Sequence, residues 1–163
     1  MFHNIVVGCD DSPQSLDAVA LAEDVAGAGG AQLLLTHVYP DQPTWYGSRR
    51  SVARARRDKV RAIFSEALEA LPESVSAETL ALGSSSAARG LHELAATERA
   101  DLVVLGSTHR GPLGRVLPGS VGELILTGAP CAVAIAPRGH REHGRRPIRS
   151  VGAAFDGSAY TSQ

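Results

Sequence analysis

The feature that most constrains this chain is an alternation. Five short apolar runs, each stopped by a turn residue, are separated by longer stretches with helical signals. The runs are Ile5 to Cys9, Gln32 to Val38, Ala77 to Leu82, Leu102 to Leu105 and Cys131 to Ala136. Uninterrupted apolar runs of this length suit strands covered on both faces, and strands that alternate with helices form parallel sheets with right-handed crossovers. The expected fold class is therefore α/β: an open five-stranded parallel sheet with helices on both faces.

The helical stretches carry their own punctuation. Ser12-Pro13 reads as a cap with proline in the first helical position. Leu16, Val19, Ala20 and Ala22 to Val25 form an apolar face, and Gly27 to Gly30 stop the helix. A second helix is expected from Ser51 to about Leu71, with Val60, Ile63, Phe64, Ala67, Leu68 and Leu71 on one face, ending at Pro72. Ser84 to Ser86 cap a third, roughly Ala87 to Glu98. A fourth runs from Gly119 to about Thr127 and stops at Gly128.

In such sheets ligands sit beyond the carboxyl ends of the strands, where strand order reverses. Two features fall on that rim. Asp10 follows the first strand, and the glycine-rich loop Gly106 to Ser120 follows the fourth. Glycine backbone approaches a ligand closely, and the free N–H groups of a helix start attract phosphate. Arg110 and Arg115 on the loop suit phosphate oxygens. A nucleotide or another phosphate ester is the first ligand to consider, although Asp-x-Ser also suits a strand-to-helix turn on its own account. No GxxxxGK[ST] sequence is present, which argues against a P-loop NTPase. A phosphate-accepting receiver domain would need an aspartate ending a central strand. The third and fourth strands end instead in Leu82-Gly83 and Leu105-Gly106.

With 163 residues, 44% of them hydrophobic and 20% charged, the chain fits one ordinary globular domain. A formal net charge of −1 gives no overall pull toward nucleic acid or an anionic membrane, and neither is expected as a partner. Both cysteines, Cys9 and Cys131, sit in apolar runs and read as buried, reduced thiols. With no leader-like start and no apolar stretch long enough to span a bilayer, a cytoplasmic location is expected. Seven basic residues, Arg49, Arg50, Arg54, Arg56, Arg57, Lys59 and Arg61, crowd the start of the second helix. There they oppose the helix dipole, so a solvated face, an acidic partner surface or phosphate should offset them. Trp45 and Tyr46, just before that helix, read as packing residues, and His140 and His143 as solvated.

Together these residues resemble the universal stress protein family over about residues 2 to 137. The resemblance is carried by Asp-x-Ser after strand one and by the pattern Gly-x2-Gly-x9-Gly-(Ser/Thr) at Gly106, Gly119 and Ser120. The segment Ala129 to Ala134, Ala-Pro-Cys-Ala-Val-Ala, adds to it. It implies a Rossmann-like domain that binds an adenine nucleotide, ATP (with Mg2+) or AMP, and acts in stress response as a homodimer through the fifth strand or through partner binding. Catalysis would be slow ATP hydrolysis at most. Carried over position by position, Asp10 would accept a hydrogen bond from the ribose and Val38 would contact the adenine. Gly106 would bring the loop backbone to ribose and phosphates, with Ser107 and His109 beside it, and Gly119 and Ser120 would offer donors to the phosphates. One position departs: His109 stands where the pattern has its second glycine. This departure motivates the alternative of a ligand-free dimerisation module of the same fold.

The tail echoes the head. Val151 to Ser158 repeats the apolar run and Asp-x-Ser of Ile5 to Ser12 at a constant offset. The expected organisation is a nucleotide-binding unit over 1–137, a polar linker over 138–148, and the start of a second copy over 149–163. Tandem actinobacterial members of the family are similar around the His109-Arg110-Gly111-Pro112 segment.

Overall fold

A computed structural model describes residues 2–27, 29–41, 49–108 and 116–143, with positions 148, 150 and 152; nothing is described of the side chains of 49–51. Its elements follow in the order β1 (Asn4–Gly8), α1 (Pro13–Gly27), β2 (Gln32–Pro40), α2 (Arg49–Glu69), β3 (Ala77–Ser84), α3 (Ala87–Thr97), β4 (Leu102–Gly106), α4 (Ser120–Leu126) and β5 (Ala132–Ala136). A short 3-10 turn, His140–His143, comes last. The expected residues Trp45, Tyr46, His109, Arg110 and Arg115, and the tail repeat apart from Gly152, lie outside the described residues.

The strands form one parallel sheet in the order β3-β2-β1-β4-β5. Alternate residues of the central strands feed two separate cores. On one face Ile5, Val7, Leu33 and Leu35 pack with α1 and with Ile63 and Ala67 of α2. On the other, Val6, Val103 and Leu105 pack with Leu91 and Leu94 of α3 and Ile125 of α4. The expected α/β architecture, with helices on both faces, is what the chain adopts. Because both faces of β1 and β4 are covered, their side chains have no wet side, and the sequence there must be continuously apolar.

Local signals explain the helix starts in part. Ser86 caps α3, its hydroxyl accepting from the Arg89 N–H at 3.2 Å. Ser12 behaves differently from the expected cap. Its carbonyl accepts from Ser15 N–H at 3.0 Å, but its hydroxyl turns back to Asp10. The buried face of α1 is also narrower than the apolar pattern suggests. It consists of Ser15, Asp17, Ala18, Val19, Ala22 and Ala26, whereas Leu16 and Ala20 are only half-buried. Most of this face is small, and at its start α1 comes close enough to β4 that a Cβ at Gly106 would meet the Gln14 carbonyl. On α2, Leu68 is 43% exposed rather than core.

The first residues after β5 are anchored to α1. Buried Asp17 accepts N–H bonds from Gly139 at 2.9 Å and Arg141 at 3.1 Å, and His140 Nε2 pairs with the Asp24 carboxylate at 2.9 Å. Cys9 is buried and Cys131 half-buried, and both thiols are free.

Candidate functional site

The reversal of strand order falls between β1 and β4, and the chain leaves their carboxyl ends toward opposite faces, opening a crevice between the two exits. A cleft of about 460 Å³ occupies this place. Its walls include Asp10 and Ser12 after β1, Gln14 and Ser15 of α1, and Thr36 and Val38 of β2. Gly106, Ser107 and Thr108 of the β4 exit and Gly119 to Gly122 around the start of α4 close the other side. Six of the seven expected site residues, Asp10, Val38, Gly106, Ser107, Gly119 and Ser120, therefore line one cavity. The seventh, His109, lies outside the described residues.

Each position has a local cause. Asp10 is held by a tight turn: its N–H donates to Ser15 Oγ at 3.1 Å, and its Oδ1 accepts from Ser12 N–H at 2.9 Å and from the Ser12 hydroxyl. The turn reading and the site reading of Asp10 coexist, because among the described residues Oδ2 receives no donor and Asp10 borders the cleft. Asp11 points elsewhere. It pairs with Lys59 of α2 at 2.7 Å, and this hydrogen bond holds its carboxyl below the usual value.

Gly106 serves packing first. A Cβ there would run into the backbone carbonyl of Gln14, so only glycine lets the first turn of α1 close on β4. The next residues fasten the base of the loop. Ser107 bridges Pro118, its N–H donates to Ala136 O at 3.0 Å, and Thr108 N–H donates to Leu117 O at 2.8 Å. Gly119 precedes α4 with no side-chain cap, and a Cβ there would meet only Thr108, at 3.9 Å.

Two residues that the motif reading passed over also shape the floor. Ser15 orders the Asp10 turn, and Thr36 is buried in the wall, its hydroxyl bonded to Leu34 O at 3.2 Å. Polar residues inside an apolar periodicity were the available signal for both.

The cavity suits a nucleotide-sized group. Its volume lies within the usual range for small-molecule sites, roughly 300–1,000 Å³. It is apolar toward Val38 and Leu91 and polar toward Asp10, Ser107 and Ser120. The hydroxyl of Ser107, buried in the wall, has no hydrogen-bond partner among the described residues. An unsatisfied buried hydroxyl costs about 1–3 kcal/mol, which a bound polar group recovers.

A doubly wound parallel sheet with a cleft at its switch point defines a Rossmann-like α/β domain. The universal stress protein family model matches residues 1–137, and the chain belongs to that family. A universal stress protein from Thermus aquaticus is 31% identical over 140 residues, covering 82% of this chain and 97% of its own. A solved universal stress protein in complex with cAMP is 25% identical, with a TM-score of 0.60 over 82% of this chain and 95% of that one. A family member from Burkholderia pseudomallei superposes with a TM-score of 0.66 at 22% identity, over 83% of this chain and 96% of that one. No helix among the described residues is long and apolar enough to cross a membrane.

Proposed function

We propose that this domain binds an adenine nucleotide in the β1/β4 cleft and acts in stress response by binding rather than turnover. The observation that carries the reading is the convergence of Asp10, Val38, Ser107, Gly119 and Ser120 on one cavity. Their chemistry orients the ligand. The apolar Val38 wall accepts a base, the free oxygen of Asp10 accepts from ribose hydroxyls, and a carboxylate repels phosphate. The phosphates therefore point away from β1 toward Gly119 and Ser120, where the first N–H groups of a helix lack intrahelical acceptors. The relative solved with cAMP, at 25% identity, supports the same class of ligand. Among adenine nucleotides we favour ATP with Mg2+, with AMP as the alternative. A cytoplasmic location goes with the two unpaired thiols. Isothermal titration with ATP and magnesium, AMP and cAMP tests the reading. Saturable heat that is lost in Asp10→Ala is expected, and no heat with any of the three at millimolar ligand refutes it.

A second reading, homodimerisation through β5, is favoured by a separate observation. β5 is an outer strand of the sheet, and Val116, Leu117, Leu124 and Leu126, on or just before the neighbouring α4, are between 42% and 65% exposed. Exposed apolar residues on the element next to an outer strand support an interface there.

A further inference from the structure

We propose that the opposite edge of the sheet, β3 together with the arginine flank of α2, is a docking surface for an extended acidic segment of a partner protein, which adds there as a sixth strand. This surface is independent of the cleft and of β5.

The strand supplies the main-chain half of the site. Among the described residues β3 ends the sheet and pairs with β2 alone. Leu33 N–H donates to Ser76 O and Asp41 N–H to Ser84 O, which fixes which β3 residues face β2. In a parallel ladder a residue spends both its N–H and its C=O on one neighbour. The even-numbered residues are therefore committed to β2, and Ala77, Thr79, Ala81 and Gly83 turn both groups outward. Thr79 and Ala81 are exposed. Sheet edges are ordinarily protected by proline, lysine or brevity. This one has eight residues, no proline, no lysine and a single charge, Glu78, which is hydrogen-bonded to Gln32. The outward residues also carry small side chains, so among the described residues they leave room for an approaching strand.

The helix supplies the charge. α2 packs over β2 and β3, with Ile63 and Ala67 buried beneath it. Lys59 reaches toward β1 to pair with Asp11, which marks the β1 side of the helix. Arg57 and Arg61 are each two residues from Lys59, about 200° around a helix, and so lie on the flank toward the free side of β3. Arg54 falls on the same flank. All three are exposed, and among the described residues Arg57 and Arg61 have no carboxylate partner; Arg54 meets Asp58 only at 3.9 Å. Arg57 and Arg61 repel each other at i,i+4 spacing in the middle of α2, so folding alone gives no reason to group them.

The two halves agree in spacing. Residues four apart on a helix are separated by about 6 Å along its axis, and alternate residues of a strand by about 6.6 Å. Carboxylates at every second position of an added strand thus meet successive arginines. Nucleic acid would use the arginines but has no complement for a row of outward N–H and C=O groups, whereas a peptide strand uses both.

The test is binding of a fluorescent peptide of alternating valine and glutamate to the whole chain, measured by anisotropy. Saturable binding is expected. It should weaken at least tenfold for the valine–lysine peptide, for the acidic peptide N-methylated at alternate amides, and for the Arg57→Glu, Arg61→Glu variant. It should weaken similarly for Thr79→Pro, which removes an outward-facing N–H and no ladder hydrogen bond to β2; unchanged far-ultraviolet circular dichroism verifies its fold. Absence of binding at millimolar peptide overturns the proposal, as does equal binding of the lysine or N-methylated peptide. Binding that survives Thr79→Pro, or preferential binding of a single-stranded oligonucleotide indifferent to that substitution, assigns the arginines to polyanions generally and overturns it as well.

Discussion

At Gly106 two demands meet in one residue. It ends β4 at the cleft, yet the absent side chain is required by the Gln14 carbonyl behind it. Backbone cannot move aside as a flexible side chain can, so overpacking here falls at the upper end of its usual cost. Gly106→Ala is expected to destabilise the fold by about 3 kcal/mol in urea unfolding, with or without a ligand. If the substitution left stability unchanged and only weakened nucleotide binding, the glycine would serve the ligand instead. Cys9 poses a different residue-scale question. Burial pushes its thiol up to about 12, opposed by hydrogen bonding from Ser15 and Thr36 and reinforced by the Asp10 charge. Its folded value lies above the unfolded one near 9.0, so the unfolded chain loses this proton first. The resulting stability is complete below about pH 9 and declines as pH rises toward 12, by at most about 1.4 kcal/mol per pH unit. Urea midpoints of the wild type should therefore fall more steeply than those of Cys9→Ala across that range, and parallel curves would contradict the assignment.

At the scale of elements, the link between α1 and the segment after β5 carries the clearest prediction. Asp17 is 3% exposed and holds two amides of a segment more than 120 residues away in sequence. Removing the carboxylate leaves the buried Gly139 amide and the part-buried Arg141 amide without their acceptor, at about 1–3 kcal/mol. Asp17→Ala should lose that much stability and, by hydrogen exchange, the protection of the Gly139 and Arg141 amides; protection that persisted would mean the turn holds itself. This contact also shows where sequence reading ends. The strands were legible because both faces of β1 and β4 are covered, which forces an unbroken apolar run. The starts of α1 and α3 were legible from Pro13 and Ser86. That Asp10, Gly106, Gly119 and Ser120 would border one cleft was legible because glycine spacing and Asp-x-Ser sit at strand ends, which topology gathers on one rim; Val38 and Ser107 came from the family resemblance alone. Asp17 was not, since a carboxylate on an apolar helix face gives no indication of which distant amides it will meet. The Asp11–Lys59 pair and the outward register of β3 likewise depend on how elements pack, which no local pattern encodes.

At the scale of the whole molecule, the two edges of the sheet are unlike, and that difference separates the proposed β5 dimer from any association through β3. The β3 side offers charge and bare backbone, whereas the β5 side offers apolar surface. Leu124 is 65% exposed and Leu126 50%, on the two flanks of α4 either side of buried Ile125, and β5 itself is short. A strand of five residues gives too few main-chain bonds to hold two copies together alone, so the apolar contribution of α4 is needed. Withdrawing the exposed part of each leucine from water is worth about 1–2 kcal/mol, and in a two-fold dimer every residue counts twice. Leu124→Glu with Leu126→Glu is therefore expected to convert a β5 dimer to monomer in sedimentation velocity, with stability changed little because both side chains are already largely in water. Arg57→Glu with Arg61→Glu, at the other edge, should leave the sedimentation coefficient where it was. If the arginine variant dissociated the dimer and the leucine variant did not, copies would be joining through the β3 side, and the apolar surface of α4 would have to be matched to a different partner.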